Sequence, residues 1–137
     1  MADNDWARVK AEILALVAWA DGAFDDAERG LFLEVLERSS VDEETRIELV
    51  DFLEQAPERE PALVRLEALP LGEAIGALRA AWILAANDGL LHPAEAELFE
   101  TFARRLGLAG DRRRLLYEML ETAARADALE RRLVAGC

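Results

Sequence analysis

Displaced by 67 residues with no gap, the sequence superposes residues 12–57 on residues 79–124, pairing Asp21 with Asp88, Gly22 with Gly89 and Glu28 with Glu95. The same frame carries Ala18 onto Ala85, Leu31 onto Leu98, Phe32 onto Phe99, Arg38 onto Arg105, Leu49 onto Leu116 and Leu53 onto Leu120. Shared leucines alone can arise from two amphipathic helices of one period. An Asp-Gly followed by five residues and a Glu, twice in one frame, is harder to obtain by chance. One repeat of this size cannot bury enough apolar surface alone, so the two are expected to pack about a pseudo-twofold axis with their most apolar helices central.

The residues favour helices. Ala, Leu, Glu and Arg dominate, β-branched residues are scarce, and there are eight glycines and four prolines in 137 residues. Each repeat predicts three helices, near 5–20, 26–38 and 42–55, then 73–87, 93–106 and 111–124. The runs ILALVAWA at 13–20 and AAWILAA at 80–86 are apolar nearly all round, as in a helix buried at the centre of a bundle. The second helix of each repeat carries a stripe, Leu31, Phe32, Val35 and Leu36 matched by Leu98, Phe99, Phe102 and Ala103. The expectation is an all-α, single-domain bundle of about seven helices over residues 1–137. Repeat one covers about 5–57 and repeat two about 73–124. The connector, about 58–72, is marked by Pro57, Pro61 and Pro70 and has room for a short helix, and a C-terminal helix is expected near 127–135.

The formal charge is -12, and it is uneven: residues 1–60 hold 17 Asp and Glu against 6 Lys and Arg, residues 61–137 hold 11 against 10. Such a field repels phosphate backbones and anionic lipid, so nucleic acid and membrane surfaces are poor partners, whereas cations or another protein fit better. The start MADNDWARVK lacks the basic and apolar regions of a signal peptide, and neither apolar run approaches the length that spans a bilayer. A cytoplasmic protein is expected. The single cysteine, Cys137, can form no internal disulfide, and no Ser/His/Asp set, phosphate loop or Cys/His cluster is present, so the chain does not read as an enzyme.

The repeated motif admits two readings. Asp21, Gly22 and Glu28 match positions five, six and twelve of a calcium-binding EF-hand loop, but positions one and three would be Val17 and Trp19, or Leu84 and Ala86 in the second repeat, none with a side-chain oxygen. The EF-hand reading fails. In the first surviving reading the motif is only a seam between helices. Gly22 and Gly89 suit left-handed helix ends, and Asp25 with Glu28, or His92 and Pro93 with Glu95, cap the helix that follows. In the second, a divalent cation is bound. Asp21 and Asp88 stand at helix C-termini, where a carboxylate costs roughly 0.3–1 kcal/mol unless a positive charge offsets it. Asp21, Asp25 and Glu28 in one repeat, and Asp88 and Glu95 in the other, form oxygen ligand sets suited to Ca²⁺, Mg²⁺ or Mn²⁺. His92 and Pro93 stand where Asp25 and Asp26 stand, so the second set carries less negative charge.

The segments ADG at 20–22 with Glu28, and NDG at 87–89 with Glu95, each between an apolar helix and an amphipathic one, resemble the two acidic motifs of the TerB-like tellurite-resistance family. The resemblance covers about residues 5–125. It implies an all-helical domain of about seven helices and cation binding at the positions of Asp21, Glu28, Asp88 and Glu95. It further implies a non-enzymatic accessory role in resistance to tellurite and other stresses, exercised with protein partners. The alternative left by the residues alone is a metal-free helical module for protein–protein interaction.

Overall fold

The computed structural model describes residues 3–20, 22, 24–39, 41–86 and 91–136. Among them are seven α-helices and no strand: α1 (Asp3–Trp19), α2 (Asp26–Arg38), α3 (Glu43–Val50), α4 (Arg59–Ala68), α5 (Leu71–Ala85), α6 (Pro93–Arg105) and α7 (Asp111–Ala135). The expected all-α bundle is what forms.

The two most apolar helices lie at the centre. Residues 13–18 of α1 are all buried, and α5 buries Ala74, Ala77, Leu78, Ala81, Trp82, Leu84 and Ala85. These helices pack chiefly on each other, and α1 also touches α2, α3, α4 and α6. Alanines recur on both (Ala11, Ala15 and Ala18 on α1; Ala74, Ala77 and Ala81 on α5), which lets two backbones approach closely and leaves larger side chains to fill the outer contacts. Around this pair, α2 inserts Phe32 and Leu36, and α6 inserts Leu98, Phe99 and Phe102. Burying one such side chain stabilises by about 1.5–3 kcal/mol.

The connector forms α4, a ten-residue helix that buries Ala62, Leu63 and Leu66. Pro61 lies in its first turn, where a missing N–H costs nothing, and Pro70 serves as the N-cap residue of α5. Two elements differ from expectation. The third helix of repeat one stops at Val50 and tightens into a 3₁₀ turn over Asp51–Leu53, short of residue 55. The helix expected near 127–135 is not separate: α7 runs unbroken from Asp111 to Ala135. Residues 121–130, ETAARADALE, hold neither Gly nor Pro and are rich in strong helix formers, so nothing interrupts the backbone ladder there.

Among the described residues no helix is long and apolar enough to cross a membrane.

Candidate metal centre

The first motif is a turn held from both sides. Gly22 takes a left-handed φ of +90°, and its N–H donates to the Trp19 carbonyl at 2.9 Å, so it closes α1 as a glycine in that position does. Two residues on, Phe24 is buried, with its ring edge-on to Trp19 at 5.7 Å and to Phe32 at 5.7 Å. The Trp19 indole N–H is in turn spent on the Phe52 carbonyl at 2.7 Å. Phe24 therefore plugs the turn into the core between α1 and α2, and fixes where Asp25 begins the next helix.

Asp25 and Glu28 close a reciprocal capping box. Asp25 Oδ1 accepts from the Glu28 N–H at 2.8 Å, and Glu28 Oε1 accepts from the Asp25 N–H at 3.2 Å. Asp25 is exposed, whereas Glu28 is only 7% exposed. The second motif repeats this with other residues. Glu95, 4% exposed, accepts from the His92 N–H at 2.8 Å through Oε1, and His92 Nδ1 accepts from the Ala94 N–H at 3.1 Å. Pro93 takes the first helical position, where its fixed φ suits the helix. An imidazole that accepts through Nδ1 cannot offer that nitrogen to a metal, so His92 acts as a helix cap.

Asp25, Glu28 and Glu95 are thus placed at helix N-termini, and Asp25 and Glu28 are brought together. Asp21 and Asp88, with Gly89, lie outside the described residues. Among the described residues no group of three or more His, Cys, Asp or Glu side chains forms a cluster that could hold a metal. Val17 and Leu84, where an EF-hand needs its first ligand, are buried core residues, which agrees with rejecting that loop.

The two helix starts differ in formal charge. A helix N-terminus carries about half a positive charge, which opposes a cation. Asp25, Asp26 and Glu28 give the start of α2 three formal negative charges without gathering into a cluster that could hold a metal, whereas His92, Pro93 and Glu95 supply one carboxylate at the equivalent positions of α6.

Arg29 is a contributor that the sequence reading passed over. Its Nε donates to the Phe24 carbonyl at 3.0 Å, its guanidinium lies 5.7 Å from the Phe24 ring centroid, and a terminal nitrogen stands 3.6 Å from Glu54. It braces the first turn through Phe24. The residue displaced by 67 is Ala96, which can brace nothing, so the second turn lacks this support. An arginine after Glu28 with no counterpart in the repeat was the available signal.

The end of α1 and the start of α6 also approach one another. A cavity of about 310 Å³ is lined by Leu16, Trp19 and Ala20 at the end of α1 and by Ala94, Glu97 and Leu98 in the first turns of α6, with Ala56 and Arg59 beside them. The end of α1 thus lies beside the start of α6.

Among the described residues, fold and site define an all-helical domain with a buried, capping glutamate in the first turn of α2 and of α6. A family model described as tellurite resistance protein TerB matches residues 9–117, and the chain belongs to that family. No curated protein and no solved structure matches the chain significantly.

Proposed function

We propose that this is a TerB-like, non-enzymatic accessory protein that binds a divalent cation, Ca²⁺, Mg²⁺ or Mn²⁺, through carboxylates at its interhelical turns. Its role is linked to tellurite and stress response in the cytoplasm and is exercised with a protein partner. Asp21, Asp25 and Glu28 form the first ligand set and Asp88 and Glu95 the second. The observation that carries this reading is the burial of a carboxylate, Glu28 at 7% exposure and Glu95 at 4%, at the same place in each repeat beside an Asp-Gly turn. Family membership supports the link to tellurite resistance. The pseudo-twofold relation of the repeats belongs to the same reading and is supported by the matched capping boxes.

A second reading, a metal-free helical interaction module, is favoured by those same boxes, because each gives its glutamate a partner without any cation. Thermal melting and calorimetry of chelator-treated protein with Ca²⁺, Mg²⁺ and Mn²⁺ decide between them. The first reading expects a metal-dependent rise in melting temperature that Asp21→Asn and Asp88→Asn diminish, the first substitution more than the second. A parent protein unmoved by every cation leaves the interaction module.

A further inference from the structure

We propose that the outer face of α7 is a dimerisation surface, and that its occupant is the α7 of a second copy of this chain. Only Leu116 and Leu120 of this 25-residue helix are buried, both in its first half. The fifteen residues 121–135 continue as helix while burying nothing fully. A helix segment of that length is marginal in water unless an apolar face is covered.

Such a face exists, turned about a third of a turn from Leu116 and Leu120, with Met119 at its edge still packed against the core. Leu115, Met119, Thr122, Ala126, Leu129 and Leu133 follow one another at alternating steps of four and three, the spacing of a two-helix seam, over about 27 Å. Leu115, Leu129 and Leu133 are 59%, 60% and 71% exposed, Thr122 and Ala126 are exposed, and Met119 is half-buried. Off the stripe, Ile47, Val64 and Leu71 are exposed singly, one each on α3, α4 and α5, and Val134 is exposed on another face of α7. Most of the stripe lies beyond residue 117, where the family match ends.

Charge selects a second copy as the occupant. The chain carries -12, yet α7 holds six arginines against five carboxylates, so here two copies approach without the repulsion their acidic halves would impose. A basic partner would be drawn instead to residues 1–60. The residues flanking the stripe suit a parallel second helix, which sets Arg125 beside Glu130, whereas an antiparallel one sets Glu118 beside Arg132 but also Arg125 beside its own counterpart. Small Thr122 and Ala126 at the middle permit close approach, with leucines at both ends to be covered.

The experiment is sedimentation velocity and light scattering of the full chain across a concentration series, in chelator so that cations play no part. The parent is expected to dimerise. Leu129→Glu combined with Leu133→Glu should give a monomer with the helical circular dichroism of the parent, as should Ala126→Lys by itself. Ile47→Glu, an exposed apolar change elsewhere, should leave the dimer intact. A parent that stays monomeric throughout the series, or a dimer indifferent to the stripe substitutions, overturns the proposal.

Discussion

Arg65 lays its guanidinium fork on the carboxylate of Glu12, with Nε 2.8 Å from Oε1 and a terminal nitrogen on Oε2. Glu12 is 3% exposed in the central helix α1, while Arg65 reaches it from α4 with its side chain 46% exposed. The contact pins the connector helix to the core, and the carboxylate holds the arginine's pKa above its ordinary value. Arg65→Met should leave a buried charge with no counter-ion and lower stability by about 1–3 kcal/mol, less than for a pair buried on both sides. Adding Glu12→Met should recover part of that loss. Denaturant unfolding of the two single variants and the double checks this; losses that simply add would contradict it.

Gly22 sits at φ +90°, and a Cβ added there would meet nothing within 4 Å among the described residues. The strain of Gly22→Ala is therefore conformational alone, and the expected loss is about 1 kcal/mol, with Gly22→Asn milder because asparagine tolerates the left-handed region. A melting curve in chelator reads this directly. Equal losses for the two variants would mean that the backbone there is not what the residue serves.

Asp25 and His92 cap equivalent helices with unlike chemistry. Asp25→Ala should cost about 0.5–2 kcal/mol and His92→Ala less, since only the carboxylate adds a favourable interaction with the helix dipole. Measured in chelator, the difference reports capping. If Asp25 is also a ligand, adding Mn²⁺ should stabilise the parent more than Asp25→Ala and widen that gap, whereas His92→Ala should keep its distance from the parent.

The fold was legible because the repeat and the period of its apolar residues say the same thing twice. Residues 13–18 and the alanine-rich α5 read as central helices from composition alone, and they are. Glu12 was not legible: a carboxylate at the edge of an apolar run looks like the last solvated residue before the core, and its partner is 53 positions away. The length of α7 was missed for the converse reason. Breaking the second repeat where the match to the first ends, at residue 124, imposed a boundary that no glycine or proline supplies. At the site, the cap residues followed from local spacing, since a capping box spans three residues. The bracing by Arg29 and Phe24 depends on how the turn folds back on α1, which spacing does not encode.

Arg105 of α6 gathers two carboxylates of α4, with nitrogens 3.0 Å from each oxygen of Glu67 and 3.1 Å from Glu60. Its hydrogen bonds hold both carboxyls below their ordinary value of 4.5. Because the folded values are depressed, the contribution to stability is present above the unfolded value and is lost as pH falls through the folded ones. Stability of the parent should therefore decline on acidification below pH 4.5 more steeply than that of Arg105→Met, the two curves converging at low pH. Both carboxylates are exposed, so the gap at neutral pH should also narrow in high salt. Urea unfolding at a series of pH values tests this. A gap that stays constant from neutral to acid would show that Arg105 acts through the packing of its stem and not through its charge.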